Sequence, residues 1–209
     1  MEFRELAKKL IYPIINFSYR RRLKNSNFTI ISDNCWGGKV YQELGISYSS
    51  PFVGLFIFSP DYLKLVKSFK QYMSYDLVFK KDSIHISNFD NHYPIADLGD
   101  IEIHFLHYSS EDEAREKWNR RKSRIHWNNL FFKMNDNDKG SYELLKEFDN
   151  LSIKGKVIFS SKNYTDLKNL IFFKHNQNDE SVGIDLKTYR KYFDAVNWLN
   201  AGGEDLSND

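Results

Sequence analysis

The chain's single cysteine lies in a short polar loop with the residue types of a reactive or ligand-binding site. In the stretch FTIISDNCWGG, an apolar run ends at Ser32 and a Gly-Gly pair opens a predicted helix. Glycine lets backbone amides approach a ligand, and a helix N-terminus favours a phosphate or an oxyanion. A thiol placed there can be stabilised as a nucleophilic thiolate. We therefore predict that a functional site is lined by Asp33, Asn34, Cys35, Trp36, Gly37 and Gly38.

Within this loop, Asp33 and Cys35 are the candidate catalytic groups, and the other four residues are candidate substrate ligands. Two structural explanations stay open. Asp, Asn and Gly also build ordinary tight turns. A lone cysteine is most often a small buried hydrophobic residue, and it becomes reactive only beside an electropositive neighbour.

A second polar loop follows the apolar run LFFKMN and contains Asp136 and Asp138. Mg²⁺ and Mn²⁺ prefer oxygen ligands, and a strand end holds such ligands rigidly. A metal bound there would neutralise a nucleotide leaving group. An EF-hand is excluded, because the sixth loop position, which requires glycine, is Ser141. We predict a Mg²⁺ or Mn²⁺ site at the two aspartates, with solvated loop carboxylates as the alternative.

The stretch SSEDEAREKWNRRKSRIHW predicts a strongly charged helix that supplies arginines. Arg121 shares a helical face with Trp118 and Ile125, so exposure to solvent explains it least well. Guanidinium groups fit phosphate or a sugar carboxylate. We predict Arg121 and Arg124 as substrate ligands, with a solvated helix joined by i,i+4 ion pairs as the alternative.

The stretch IEIHFLHY is predicted as a strand, which would point His104 and His107 to opposite faces. The two histidines therefore cannot share one metal ion. His107, near the strand's end, is the candidate general base, and a structural histidine is the alternative. The sequence contains no P-loop, dinucleotide-binding fingerprint or Gly-x-Ser-x-Gly motif, which argues against kinases, classical dehydrogenases and nucleophile-elbow hydrolases.

Strand-like and helix-like runs alternate along the chain, which predicts an α/β fold. We expect one mixed, largely parallel sheet in a single domain over residues 28–200, with helices on both faces. A basic amphipathic helical segment over 1–27 precedes it, and a flexible tail over 201–209 follows. The stretch YPIADLGD is predicted as a turn. The predicted strands are FTIIS, VGLFIFS, DLVFK, SIHIS, IEIHFLHY, NLFFKM, KVIFS and LIFFK.

Composition favours a packed globule, since 41% of the 209 residues are hydrophobic and 16% aromatic. One cysteine forms no internal disulfide, and no run reaches the ~20 apolar residues of a membrane span, so we predict a cytoplasmic protein. Residues 1–25 carry seven lysines and arginines against two glutamates, a balance of +5, and with +2 overall the remainder carries −3. This balance argues against a nucleic-acid partner. It suggests peripheral membrane contact through residues 1–25, with a helix docked on the core as the alternative.

Three stretches resemble a bacterial family of domains of unknown function whose members are commonly labelled exopolysaccharide biosynthesis proteins. They are FTIISDNCWGGKVYQELGISYSSPFVGLFI, LGDIEIHFLHYSSEDEAREKWNRRKSRIHWNNLFFKMNDND and YRKYFDAVNWLN. The resemblance runs from about Thr29 to Asn200, and the NCWGG and EKWNRRKSRI blocks are specific to it. It implies a role in assembling or decorating surface polysaccharide at the cytoplasmic side of the membrane, with an activated sugar or polysaccharide precursor as partner.

The pair Asn34-Cys35 also looks like the start of capsule-modifying acyltransferases of the flattened-sandwich α/β type. That resemblance implies a late catalytic histidine, and the one histidine after His126 is His175, in a polar loop.

Together these features predict a transferase in surface-polysaccharide synthesis, with sugar transfer from a nucleotide-activated donor as the leading form. The metal would hold the donor's diphosphate, the arginines would add positive charge, and His107 or Asp33 would activate an acceptor hydroxyl. One alternative is acyl transfer through Cys35, with the loop amides as an oxyanion hole. The other is a non-catalytic sugar- or partner-binding subunit.

Overall fold

The computed structural model describes residues 16–90 and 92–203. Residues 16–22 are helical. Pro13 and the first part of the predicted N-terminal helix lie outside the described residues, as does the predicted tail beyond residue 203.

After that first helix, six α-helices and seven strands are described. The strands are β1 (Thr29–Ser32), β2 (Leu77–Lys80), β3 (Ile95–Leu98), β4 (Ile101–His104), β5 (Leu130–Asn135), β6 (Lys156–Ser160) and β7 (Leu170–Phe172). The helices are α1 (Trp36–Leu44), α2 (Ser59–Lys67), α3 (Phe69–Tyr72), α4 (Glu111–Lys122), α5 (Tyr142–Asp149) and α6 (Ala195–Asn200). Short 3₁₀ turns occur at Lys174–Asn176, Asp185–Lys187 and Tyr189–Lys191.

The predicted α/β fold is confirmed. The strands form two sheets, however, where one mixed sheet was predicted. Four strands are parallel in the order β1-β5-β6-β7, and three are antiparallel in the order β2-β3-β4. The carboxyl ends of β1 and β5 therefore lie side by side, and polar residues follow both strands.

Both faces of the parallel sheet are covered. Successive residues of a strand point to opposite faces, so Ile30 and Phe131 pack on one side and Ile31 and Phe132 on the other. Helices α1 and α6 cover the first face, while α2, α5 and the antiparallel sheet cover the second. This is the arrangement that predominantly apolar parallel strands require.

The stretch VGLFIFS is not a strand, although it is extended and buried. Its Ile57 N–H donates to the Asp33 carbonyl at 2.8 Å, next to the parallel sheet. On its other side, Phe56 exchanges two backbone hydrogen bonds with His104 of β4, at 2.9 and 3.0 Å. The segment thus joins the two sheets, with Phe56 as its one bridge position among the described residues.

Two further secondary-structure predictions are wrong. SIHIS forms bends instead of a strand, because the buried Glu102 carboxylate accepts hydrogen bonds from the Ser83 hydroxyl and the Ile84 N–H. YPIADLGD contains β3, and its turn is limited to Gly99 and Asp100, where β3 and β4 meet as a hairpin. Gly99 has φ +67°, a conformation that favours glycine.

Candidate functional site

A cleft of about 310 Å³ lies between the start of α1 and the C-terminal half of α4. We call it the Arg121 cleft. It brings together four of the predicted site residues, Cys35, Gly38, His107 and Arg121. The remaining lining residues are Lys39, Gln42, Tyr48, Val53, Gly54, Tyr108, Lys117 and Leu186.

The charged side chains that line the Arg121 cleft are cationic. Arg121, Lys39 and Lys117 line it, and no lining residue among those described is acidic. The lysines pair with glutamates of their own helices, Lys39 with Glu43 at 3.3 Å and Lys117 with Glu113. Cationic donors from two helices, α1 and α4, thus converge on one cavity, a pattern suited to a phosphate or carboxylate group.

Arg121 differs from most buried arginines because it has no acidic partner among the described residues. Its side chain is only 7% exposed. Nη1 donates to the Val53 carbonyl at 3.2 Å and to the Tyr108 hydroxyl at 2.5 Å. The guanidinium also lies 4.9 Å from the centre of the Tyr48 ring. Nε and Nη2 have no hydrogen-bond partner within the described part of the chain, so both remain available to a ligand.

Cys35 and His107 both line the Arg121 cleft, but they differ in exposure to solvent. Cys35 is half-buried, and burial, with the nearby Asp185 carboxylate, raises the pKa of its thiol to about 11. At neutral pH the thiol is therefore protonated, which disfavours attack by a thiolate. His107 is exposed and lies beyond the end of β4. His104, in contrast, is fully buried and hydrogen-bonds Glu102 at 2.7 Å.

The first residues of α1 serve packing more than ligand contact. Trp36 is completely buried and packs edge-on against Phe159 and Tyr189, with both ring centres 5.4 Å from its own. A Cβ on Gly37 would lie 2.8 Å from the Ser32 hydroxyl, so this glycine permits the close approach of α1 to β1. Trp36 and Gly37 are therefore buried in the core and do not line the cleft.

Two of the loop amides are already used within the loop. The Trp36 N–H donates to the Asn34 side-chain oxygen at 3.0 Å, and the Gly37 N–H donates to the Ser32 hydroxyl at 3.0 Å. An oxyanion hole needs free donors. These two amides therefore do not supply one in this conformation.

Asp33 belongs to a buried charged cluster and does not line the cleft. Lys133 of β5 is fully buried, with its Nζ 3.1 Å from Asp33 and 2.5 Å from Asp185. Burial, assisted by Asp185, raises the pKa of Asp33 to about 6 against the pull of Lys133. Burial works to lower the pKa of Lys133, but the two carboxylates outweigh it and raise that pKa.

Sequence reasoning did not identify Lys133 or Asp185 as site residues. The sequence does contain a signal for Lys133, which is a lysine within the apolar run LFFKMN. A lysine in a strand buried on both faces requires a carboxylate partner. Asp185 carries no such signal, since it follows a polar loop and resembles any exposed aspartate in the sequence.

Asp136 organises loops at the carboxyl end of β5. Its carboxylate accepts hydrogen bonds from the Ser160 hydroxyl at 3.0 Å, from Ser161 at 2.6 Å (N–H) and 2.9 Å (hydroxyl), and from the Val182 N–H at 2.7 Å. Asp138 is exposed and has φ +51°. Within residues 16–90 and 92–203, no three His, Cys, Asp or Glu side chains are grouped so that they could hold a metal ion.

Arg124 lies outside the Arg121 cleft, in a neighbouring groove of about 620 Å³. Tyr48 lines both cavities. The two predicted arginine ligands therefore line two cavities that share Tyr48.

Comparison with known proteins places the Arg121 cleft inside a matched region. A family model described as "Domain of unknown function (DUF1919)" matches residues 6–200, which include every residue of the cleft. The chain is also 36% identical over 194 residues to an uncharacterized protein of Haemophilus influenzae, covering 89% of this chain and 90% of that protein.

Proposed function

Because the chain belongs to the DUF1919 family, whose description assigns no reaction, we propose a function from the Arg121 cleft. The protein binds the phosphate-bearing end of an activated sugar there and acts as a transferase in bacterial surface-polysaccharide synthesis. The observation that carries this proposal is Arg121, a buried guanidinium with no acidic partner in the described chain and two nitrogens free to bind a ligand. The polysaccharide role rests on the resemblance of the three stretches quoted in the sequence analysis to proteins labelled exopolysaccharide biosynthesis, and the description of the matched family names no such role.

In this mechanism the cleft stabilises the leaving group. Arg121 donates from Nε and Nη2 in the paired geometry that suits a phosphate, and Lys39 and Lys117 add positive charge. In this proposal the cations neutralise the charge of the leaving group, and the Mg²⁺ or Mn²⁺ site predicted at Asp136 and Asp138 stays a separate prediction. The phosphate's developing charge is met by donors already held in place, so little reorganisation is needed during the reaction.

His107 is the proposed general base. It is exposed in the same cleft, so an acceptor hydroxyl can approach it. Asp33, the other predicted base, is buried and hydrogen-bonded to Lys133. Acyl transfer through Cys35 receives less support, because the raised pKa of its thiol works against nucleophilic attack.

The Arg121→Gln variant should bind uridine diphosphate, a probe for the donor's leaving group, about 10- to 100-fold more weakly than wild type. Loss of a hydrogen bond to a charged group costs about 1.5–3 kcal/mol, and 1.4 kcal/mol is about tenfold in affinity. Isothermal titration calorimetry measures this change. The matched control is Arg120→Gln, because Arg120 lies on the same helix, is exposed and pairs with Glu116 at 2.7 Å.

Equal affinity in folded Arg121→Gln and wild type would contradict the proposal. Lys117→Gln provides a check that does not alter a buried residue, and we expect weaker binding there too. Binding that depends on Arg121 without release of uridine diphosphate from any nucleotide sugar would favour the non-catalytic binding subunit.

We also propose that residues 1–25 contact an anionic membrane surface. No helix in the described part of the chain is long and apolar enough to cross a bilayer. Phe17 is 60% exposed, and the Arg21 guanidinium lies 5.9 Å from its ring centre, so an apolar and a basic group are presented together.

In a vesicle sedimentation assay, the full chain should bind phosphatidylglycerol vesicles more than phosphatidylcholine vesicles. Salt should weaken the binding, because the attraction is electrostatic. Substituting serine for Arg21 and Lys24 together should reduce it, whereas Lys174→Ser, an exposed lysine elsewhere, should not. Equal binding to both lipids would contradict the proposal.

A further inference from the structure

The carboxylate of Asp185 is held in the way a bound ligand would be held. It accepts hydrogen bonds from Lys133 Nζ at 2.5 Å, Asn34 Nδ2 at 3.2 Å and Asn135 Nδ2 at 3.4 Å. We call these three donors the Asp185 cradle. Lys133 and Asn135 are almost completely buried, and so is Asp185 itself. The three donors thus hold a buried carboxylate that belongs to the same chain.

The position of the Asp185 cradle is where ligands bind in open α/β sheets. Asn34 follows β1, and Lys133 and Asn135 are the fourth and last residues of the adjacent strand β5. The carboxyl ends of parallel strands face the crevice that such folds use for ligands. In this protein the segment that contains Asp185 occupies that crevice. Asp185 lies 151 residues after Asn34 in the sequence.

The segment that carries Asp185 also forms a wall of the Arg121 cleft. Leu186 lines that cleft, and so does Cys35, which is next to Asn34 in sequence. On the other side, Gly183 exchanges two hydrogen bonds with the Asn137 side chain, at 2.8 and 3.0 Å. Ile184 is exposed, so it adds little packing to hold the segment. Two consecutive residues therefore contact the two places, Asp185 the cradle and Leu186 the cleft.

We propose that the Asp185 cradle is a second anion site for a ligand carboxylate, which Asp185 occupies until a carboxylate-bearing sugar enters from the Arg121 cleft. This inference rests on the proposed function and deepens it by naming acidic sugars as the substrate class. Exchange of one carboxylate for another leaves the charge around Lys133 unchanged. A phosphate dianion would instead add negative charge beside Asp33, which lies 3.1 Å from Lys133.

The test is the affinity of the full chain for D-glucuronate, with neutral D-glucose as the comparison sugar. The Asp185→Asn variant should bind glucuronate at least about tenfold more tightly than wild type, because a site that is only fractionally open loses apparent affinity by that fraction. Asp179→Asn, an exposed aspartate of the same region, is the matched control and should behave as wild type. Adding Lys133→Gln to Asp185→Asn should remove the gain.

Hydrogen exchange of the wild-type chain provides a second readout that needs no substitution. Saturating glucuronate should increase amide exchange over residues 182–187, because Asp185 leaves the cradle, whereas glucose should leave it unchanged. Equal glucuronate affinity in wild type and Asp185→Asn, or a gain that survives the loss of Lys133, would overturn the inference. So would unchanged exchange at saturation.

The same protein samples separate this inference from the proposed function. The affinity for uridine diphosphate tests the role of Arg121, and the affinity for glucuronate tests the role of Lys133. Nucleotide binding that requires Arg121, without a glucuronate gain in Asp185→Asn, contradicts the second site only. A glucuronate gain without Arg121-dependent nucleotide binding contradicts the proposed function and supports the second site.

Discussion

Replacing Lys133 by methionine should lower the free energy of unfolding at pH 7 by about 3–5 kcal/mol, the usual result of removing one partner from a buried ion pair. Lys133 is fully buried and is the one cation near both Asp33 and Asp185 among the described residues. Without it, two buried carboxylates lose their partner. Methionine keeps much of the side chain's volume, so the loss reflects charge more than packing.

Urea denaturation followed by circular dichroism measures this effect. The control is Lys174→Met, because Lys174 is exposed and has no acidic partner in the described chain. It should change the unfolding free energy by less than about 0.5 kcal/mol. A loss below about 1 kcal/mol in Lys133→Met would mean that the carboxylates reach water or protonate at little cost, and would contradict the buried cluster.

The deficit in Lys133→Met should also depend on pH. In the wild type, burial raises the pKa of Asp33 from 3.8 to about 6, so the folded chain binds this proton more tightly than the unfolded chain. Ionisation of Asp33 therefore reduces stability as the pH rises from about 4 to about 6, and the reduction is complete above that range. Removing Lys133 enlarges this cost. The deficit should be larger at pH 7 than at pH 4, and the reverse order would contradict this assignment.

Replacing Trp36 by alanine should cost about 3–5 kcal/mol, as expected for a large aromatic side chain removed from a packed core. Trp36 is completely buried, and its ring contacts those of Phe159, Tyr189, Phe193 and Trp198. Its indole N–H has no hydrogen-bond partner among the described residues, so its contribution comes from packing.

Thermal and urea denaturation measure the loss, with Trp127→Ala as the control. Trp127 is 46% exposed, so its removal should cost clearly less. Trp36→Phe should keep the nucleotide affinity of wild type, because Trp36 does not line the Arg121 cleft. A stable Trp36→Phe variant that lost nucleotide binding would instead support the sequence-based prediction that Trp36 contacts substrate.

The sequence by itself determined the fold class and most of the local elements. FTIIS, NLFFKM and KVIFS are short apolar runs, and each forms a strand of the parallel sheet because strands covered on both faces need apolar side chains throughout. Arg121 was identified for a related reason. It lies on the apolar face of α4, so a buried guanidinium is predictable from periodicity alone.

Only the tertiary structure decided which polar residues share a cavity. Cys35 and Trp36 are adjacent in sequence, yet one lines the Arg121 cleft and the other lies in the core, because one helical step rotates a side chain by about 100°. The division into two sheets and the pairing of Asp185 with Lys133 depend on contacts between distant segments. Local propensity does not encode such contacts, since they form only when the whole core packs.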